Sequence, residues 1–325
     1  MKNLLGRRGA ILVGIVATAG LLASIASAAG FPPLKSLKGT ITADGSSTVG
    51  PYTTAAAELF SKAGAKNVRI TVGISGTGGG FQRFCNGEID LSDASRPMKR
   101  SEAQACKDHG VGSWRAFTVA NDALTVVVNQ QNTWATCLSV DELKKIWAPG
   151  SKLDNWKDVR AGFPDQKLKL FGPGTDSGTF DYFTEAINGK AKASRSDYAA
   201  SEDDNVLVQG VSGEKGGLGY FGYSYFEENQ SRLNALQIRN PKTGDCVAPS
   251  QANVFNGSYK PLARPLFIYA KGSSFKRAEV QGFLHYIFGN EQAIAKRARF
   301  IPLTKAQLKK ATINFDLAIK AAQRS

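Results

Sequence analysis

Residues 174–183 read GTDSGTFDYF, and their small polar side chains stand at the start of a predicted helix. The stretch follows a short apolar strand, LKLFG (168–172). Asp176, Ser177 and Thr179 are typical N-cap residues, which satisfy the first free N–H groups of a helix. The same N–H groups and the positive end of the helix dipole can also bind phosphate or sulfate. Taken alone, the stretch is compatible with either role.

Two further segments have the same design of a strand, a glycine-rich Ser/Thr turn and a helix start. They are DGSSTVGP (44–51) and GISGTGGGF (73–81). In open α/β sheets, ligands bind beside such turns at the carboxyl ends of the strands. Three turns rich in small donors favour an anion site built from converging N–H groups.

The wider pattern alternates strands and helices and predicts an α/β protein. The predicted strands include 39–45, 68–74 and 123–129, and the predicted helices include 52–64 and 139–150. Ser139 and Glu142 have the spacing of a capping box at the start of the last of these helices.

The first 28 residues have the features of a cleaved secretory signal peptide. A positively charged start precedes the apolar run 10–26, and Ala26-Ser27-Ala28 forms a small-x-small cleavage site. An uncleaved membrane anchor is the alternative. Because no cysteine stands at the cleavage site, we expect a periplasmic protein that is not a lipoprotein. Residues 29–38 are predicted to be a linker.

The chain of 325 residues carries a formal net charge of +14. Its lysines and arginines are scattered rather than clustered, and export argues further against a nucleic-acid partner. A positive surface also steers small anions towards a protein.

Catalytic and cofactor signatures are weak. GISGTGGGF resembles a dinucleotide fingerprint, but Phe81 stands where the last glycine is required, and no phosphate-binding P-loop sequence occurs. A catalytic triad would have only His109 or His285 as its base. We therefore expect no enzyme activity, no cofactor and no metal.

The segment LSDASRPMK (91–99) contains two charged candidates, Asp93 and Arg96. Arg96 precedes a proline, which favours an extended backbone at the arginine. A guanidinium held in this way can bond two oxygens of a tetrahedral oxyanion. The alternative is a surface ion pair between Asp93 and Arg96, which contributes little.

Together and in this order, the four motifs resemble the PstS-type phosphate-binding proteins of ABC uptake systems, in the branch that carries an SRP motif. The resemblance runs from Gly39 to the C-terminus, and YKPLARPLFIYAKG (259–272) resembles the strand that returns between the lobes. It implies the type II periplasmic-binding-protein fold, with two lobes of mixed sheets flanked by helices and two hinge strands. The implied lobes are 39–121 plus 259–325, and 122–258.

The resemblance also implies a set of phosphate ligands. These residues are Ser47, Thr48, Ser75, Thr77, Asp93, Arg96, Ser177, Gly178 and Thr179, with Asp176 as a second-tier residue. Arg96 takes the cationic role because Pro173 stands where another branch carries arginine. Asp93, or alternatively Asp176, accepts the hydrogen bond of the phosphate proton and so disfavours sulfate.

The four cysteines, Cys85, Cys106, Cys137 and Cys246, predict disulfides in an exported protein, and their spacing alone leaves three pairings open. If the two implied lobes move about a hinge, a bridge should not cross the cleft. That condition favours Cys85–Cys106 and Cys137–Cys246.

The predicted function is therefore that of a monomeric receptor, which binds inorganic phosphate between two lobes and delivers it to an ABC permease. One alternative is a receptor for another oxyanion, such as sulfate, molybdate or tungstate. A second is a secreted phosphate-ester hydrolase, and a role in phosphate sensing also stays open.

Overall fold

A computed structural model describes residues 31–46, 48–175, 177–201 and 203–324, apart from the side chain of Ser224. The predicted signal peptide, Ser47 and Asp176 lie outside the described residues. Within those ranges, every helix is too short or too polar to span a bilayer. The described part of the predicted linker forms a short 3-10 helix, Leu34–Ser36, and runs into the first strand.

The strands are β1 (Lys38–Gly45), β2 (Asn67–Val72), β3 (Leu91–Ala94), β4 (Trp114–Asn129), β5 (Cys137–Leu138), β6 (Lys169–Gly172), β7 (Ala199–Ala200), β8 (Gly217–Gly222), β9 (Leu233–Ala235), β10 (Gln237–Arg239), β11 (Cys246–Val247) and β12 (Ala263–Lys271). The helices are α1 (Gly50–Lys62), α2 (Gly76–Cys85), α3 (Arg100–Asp108), α4 (Val140–Trp147), α5 (Trp156–Val159), α6 (Gly178–Asn188), α7 (Asp204–Gly213), α8 (Tyr223–Glu228), α9 (Gln251–Phe255), α10 (Ala278–Gly289), α11 (Glu291–Arg297) and α12 (Lys305–Ala322), and a second 3-10 helix covers Ser273–Lys276.

The main sheet is mixed and has the strand order β2-β1-β3-β12-β4-β8-β6-β7, with β9 also paired to β4. β1 is parallel to β2 and to β3, whereas β12 is antiparallel to β3 and to β4. A smaller sheet has the order β11-β10-β5. The α/β prediction is confirmed, and the sheets are mixed as expected.

The long strand β4 connects the two parts of the main sheet. Its first part pairs with β12, ending at Ala123 opposite Ala263. From Leu124 onward it pairs with β8 instead. At the changeover, the amide N of Leu124 donates to the carbonyl O of Leu262 at 2.9 Å. The residues from Pro32 onward pack as one unit, so the two lobe boundaries stay a prediction.

Each part of the main sheet has its own aromatic core. Beside the first part, the ring of Phe117 lies 5.4 Å from that of Phe288. Beside the second part, Phe183 and Tyr220 stack at 3.8 Å, and Trp147 lies edge-on to Tyr220 at 4.9 Å. Separate buried cores of this kind are typical of two lobes that each fold round their own sheet.

The disulfides follow the same division. Cys85, at the end of α2, bonds to Cys106 in α3, and Cys137 in β5 bonds to Cys246 in β11. These are the pairs that the two-lobe arrangement favours. Neither bridge joins the first part of the sheet to the second.

The turn after β1 packs closely against α2. A Cβ atom placed on Gly80 would lie 2.5 Å from Cα of Gly45 and 3.0 Å from the carbonyl O of Asp44. Both neighbours are backbone atoms of a paired strand, so they cannot rotate away as a side chain can. Glycine at position 80 therefore allows the helix to approach the strand end.

We expect Gly80→Ala to lower the free energy of unfolding by about 1–3 kcal/mol, because the added methyl forces backbone apart in a packed region. Urea denaturation would measure this loss. Gly213→Ala, at the end of α7, is the matched control, because its Cβ would meet nothing within 4 Å. If the Gly80→Ala protein is as stable as the control variant, the turn and α2 can move apart without loss of stability.

Candidate functional site

The first two turns and the end of β3 lie together at one edge of the sheet. They do so because β1 is parallel to both of its neighbours, which brings three carboxyl ends to the same edge. The amide N of Ser46 donates to the carbonyl O of Asp93 at 2.9 Å, and the amide N of Ser75 donates to the carbonyl O of Gly45 at 3.1 Å. The helix starts at Gly50 and Gly76 follow directly.

The third turn, at the start of α6, comes from the second part of the molecule and meets the first turn. A Cβ atom on Gly178 would overlap the backbone N and the hydroxyl oxygen of Thr48. Only glycine permits an approach this close. The structure therefore brings together the two turns that sequence analysis had connected only through their similar design.

A cavity of about 430 Å³ lies beside the first two turns and α6. Its lining consists of Ser46, Thr48, Gly76, Thr77, Gly78, Ser95, Arg96, Lys99, Asp181, Tyr182, Glu185, Gly189, Lys190, Ala191 and Arg264. A larger cavity of about 970 Å³ lies elsewhere, beside Asp122, Arg299 and Pro302, and none of the turn residues lines it. We take the smaller cavity as the candidate site, because residues of the first two turns line it and three of the predicted ligands, Thr48, Thr77 and Arg96, are among them. The other predicted ligands that the structure describes do not line it.

The predicted hydroxyl residues have different surroundings. Thr77 Oγ1 lies 3.0 Å from Ser95 Oγ in the cavity wall and accepts from the Ser95 amide N at 3.2 Å. Ser75 Oγ instead donates to Asp44 Oδ1 at 2.9 Å. Ser177 Oγ accepts from the amide N of Thr179 at 3.1 Å, so the N-cap at the start of α6 is confirmed. The cap satisfies one N–H of that helix start, and the ligand role stays a prediction.

Asp93 is fully buried at the end of β3. Its Oδ1 accepts from Thr53 Oγ1 at 2.8 Å, whereas its Oδ2 has no hydrogen-bond partner among the described residues. Burial raises the pKa of Asp93 to about 7; the Thr53 hydrogen bond opposes this rise, and the nearby charge of Asp44 adds to it. A carboxyl with this pKa changes its charge near neutral pH.

Arg96 lines the cavity, but its guanidinium is already paired. Its two Nη atoms donate to the carboxylate oxygens of Glu102 at 2.9 and 2.7 Å. Its guanidinium carbon also lies 5.6 Å from the centre of the Phe81 ring. The partner of Arg96 is therefore Glu102, and the suggested surface pair with Asp93 is wrong because Asp93 is buried beneath the first turn.

A second arginine, Arg264, lies in the cleft and was missed at the level of sequence. Its side chain is 12% exposed, and its Nη2 donates to Thr48 Oγ1 at 3.2 Å. The guanidinium carbon sits 3.4 Å from the centre of the Tyr182 ring. Its Nε lies 3.7 Å from Asp122 Oδ2 and has no hydrogen-bond partner among the described residues. Burial lowers the pKa of this guanidinium.

Two features of the sequence could have indicated Arg264. It is the one charge inside the otherwise apolar run ARPLFIYA (263–270). It also precedes Pro265, which repeats the arginine–proline step that singled out Arg96. The family resemblance describes this run only as part of the strand that returns between the lobes, so it assigns no role to the charge within it.

The remaining charges of the cavity are mixed. Lys99 and Lys190 add positive charge, and Asp181 and Glu185 add negative charge. Asp181 Oδ1 is buried without a partner among the described residues. Across the ranges described by the structure, no cluster of three or more histidine, cysteine or acidic side chains is arranged to hold a metal ion.

Comparison with known proteins identifies the family. The family model of the PBP superfamily domain matches residues 33–291. Protein SphX of Synechococcus elongatus is 47% identical over 311 residues, which cover 95% of this chain and 89% of that protein. The phosphate-binding protein PstS of Staphylococcus epidermidis is 37% identical over 276 residues, 85% of this chain and 82% of that protein.

Among solved structures, a possible phosphate binding protein from Planctomyces limnophilus has a TM-score of 0.82 and 48% identity. The match covers 87% of this chain and 100% of that one. The fold is therefore the two-lobed fold of periplasmic phosphate-binding proteins. The chain belongs to the PBP superfamily and, within it, to the PstS-type phosphate-binding proteins.

Proposed function

We propose that the protein binds inorganic phosphate between its two lobes and delivers it to the membrane permease of an ABC transporter. The observation that carries this proposal is the close contact of Gly178 with Thr48, because Thr48 lines the cavity and the contact places the start of α6 beside that part of the cavity wall. A helix start carries N–H groups and the positive end of the helix dipole, and in this proposal the start of α6 contributes both to the anion site. Such groups suit a compact anion.

The proposed ligands come from all three turns. Thr48 acts with its neighbour Ser47, Thr77 acts with Ser75 beside it, and the third group comprises Ser177, Gly178 and Thr179. In this proposal Arg96 contributes positive charge from the cavity wall. The hydroxyl of Ser75 holds Asp44, so Ser75 supports the second turn rather than pointing its side chain at the anion.

We further propose that lobe I comprises 39–121 plus 259–325 and lobe II comprises 122–258. The change of partner of β4 at Ala123 and Leu124 supports this boundary. With one disulfide on each side of the boundary, the lobes can rotate about their connecting strands. In the same proposal, the chain is exported through a cleaved signal peptide at residues 1–28 and works as a monomer in the periplasm.

Asp93 supports phosphate over sulfate as the ligand. Near neutral pH phosphate still carries a proton that can donate a hydrogen bond, whereas sulfate carries none. The unpartnered Oδ2 of Asp93 can accept such a bond. If sulfate bound, a buried carboxylate would face an anion without a proton, and an unpaired buried polar group costs roughly 1–3 kcal/mol.

A secreted phosphate-ester hydrolase fits the site less well. Histidine is the usual base for activating a serine nucleophile. Neither His109 nor His285 lines the cavity. Of the two acids in the wall, Asp181 lies near the positive charges of Lys192 and Arg264.

Calorimetric titration of the purified protein, stripped of bound ligand, tests the proposal directly. We expect tight one-to-one binding of phosphate, no response to sulfate, and no turnover of a generic phosphomonoester. Sulfate binding as strong as phosphate binding would contradict the assignment of phosphate as the ligand. It would still be consistent with an anion-binding cleft. Steady turnover of the ester would contradict the receptor proposal.

We expect Gly178→Ala to weaken phosphate binding by about 10- to 100-fold, because forced overlap in a packed contact costs about 1–3 kcal/mol. The added methyl keeps the third turn away from Thr48 in the closed state. The melting temperature of the ligand-free protein should change little, since the open lobes relieve the overlap. Calorimetry and thermal melting would measure the two effects, with Gly213→Ala as the control. Unchanged affinity would mean that binding does not need this approach.

We expect sulfate binding, where it can be detected, to strengthen about tenfold between pH 8 and pH 6. Above its pKa of about 7, the Asp93 carboxylate is negative and repels sulfate; below it, the neutral carboxyl can donate a hydrogen bond. Asp93→Asn should abolish this pH dependence and raise sulfate affinity relative to phosphate. Competition titrations at several pH values would measure both effects.

Asp176→Asn is the matched variant for the alternative acid. If this variant, and not Asp93→Asn, changes the ratio of sulfate to phosphate affinity, the discriminating acid is Asp176. If neither variant changes the ratio, an acid in the cleft does not set the selectivity.

A further inference from the structure

We infer that Arg264 is the cation that contacts the bound anion directly, and that Asp122 is its counter-ion while the cleft is empty. This inference rests on the proposed function, because it names the charge that the same site uses. Arg264 was not among the predicted ligands, whereas Arg96 was.

The first support is the partly unsatisfied state of Arg264. A guanidinium has five N–H donors in a planar fork. Arg264 uses one contact on the Thr48 hydroxyl, and its Nε has no partner among the described residues. The carboxylate of Asp122 is 3.7 Å away, too far for a hydrogen bond. Burying a charge without a close partner is costly, and an anion in the cleft would supply that partner.

The second support is the contrast with Arg96. Both Nη atoms of Arg96 are committed to Glu102 in a bidentate pair. To bind an anion with the same atoms, Arg96 would have to give up charge-assisted hydrogen bonds, which are among the strongest in proteins. Arg264 has no such pair to break. Of the two arginines in the cavity wall, Arg264 is therefore the one with N–H donors left for an anion.

The third support is the way that Arg264 is held. Its guanidinium lies flat on the ring of Tyr182, 3.4 Å from the ring centre. The hydroxyl of Tyr182 in turn donates to the carbonyl O of Pro261 at 2.6 Å, which fixes the ring. An arginine that rests on an aromatic face and touches Thr48 is pre-positioned and loses little freedom when an anion arrives.

The contacts of Arg264 also span the cleft. Thr48 belongs to the turn after β1, Tyr182 to α6, and Arg264 and Asp122 to the paired strands β12 and β4. An anion bound to this guanidinium would therefore link the first turn, the third turn and the connecting strands. Asp122 competes with the anion for the same charge, so it should oppose binding and stabilise the empty cleft.

The test compares Arg264→Gln, Arg264→Lys and Asp122→Asn with Arg96→Gln, the variant of the other arginine in the cavity wall, in the full protein. Each is titrated with inorganic phosphate and with sulfate by calorimetry, and each ligand-free form is melted. We expect Arg264→Gln to weaken phosphate binding at least 100-fold, Arg264→Lys about tenfold, and Arg96→Gln less than tenfold. The ligand-free melting temperature of Arg264→Gln should fall, because Asp122 is left buried without its counter-ion, so the phosphate affinity of the folded protein is the deciding measurement.

Asp122→Asn should act in the opposite direction. It should tighten phosphate binding by severalfold and lower the ligand-free melting temperature, because Arg264 then loses its counter-ion. A merely structural role for Arg264 predicts something different: Arg264→Gln would leave the phosphate affinity of the folded fraction unchanged.

The possible failures can be told apart. If the wild-type protein does not bind phosphate, the proposed function is wrong and this inference is wrong with it. If the wild type binds and Arg264→Gln binds within about threefold of it, only the inference is wrong. If Arg264→Gln does not fold, Arg264→Lys decides, and an unchanged phosphate affinity in that variant would overturn the inference.

Discussion

The antiparallel pairing of β4 with β12 is the constraint on which the rest of the molecule depends. β4 pairs with β12 up to Ala123 and with β8 from Leu124 onward, so one continuous strand serves both parts of the sheet. The same pairing sets Arg264 opposite Asp122. The strands that connect the lobes therefore also carry Asp122 and Arg264. The same backbone connects the lobes and positions these two charges.

The cleft is built from groups that are costly to bury and that a phosphate ion could satisfy. Asp93 Oδ2 and Arg264 Nε have no partner among the described residues, and the start of α6 has N–H groups that its cap does not satisfy. One oxyanion that carries a proton could accept from the N–H groups and the guanidinium and donate to the carboxylate. When the cleft closes on such an ion, buried polar groups that lacked partners gain hydrogen bonds.

Much of the fold could be predicted from sequence because its signals are local. The strand at 39–45 and the Ser139–Glu142 capping box were both found in place, since periodicity and capping act over a few residues. The site was only partly predictable. Arg264 lies 216 residues from the Thr48 hydroxyl that it contacts. Contacts of this kind are set by tertiary structure, which no short motif encodes.

The position of β12 in the sheet has a consequence for how the chain is made. β12, residues Ala263–Lys271, lies between β3 and β4, although roughly 130 residues separate it from β4 along the chain. The chain is synthesised from its N-terminus onward. The edges of β3 and β4 that pair with β12 therefore stay unpaired until β12 has been made. Unpaired edges invite wrong pairing. The newly made protein therefore needs protection from aggregation until most of its length is available, and the second lobe has time to fold first.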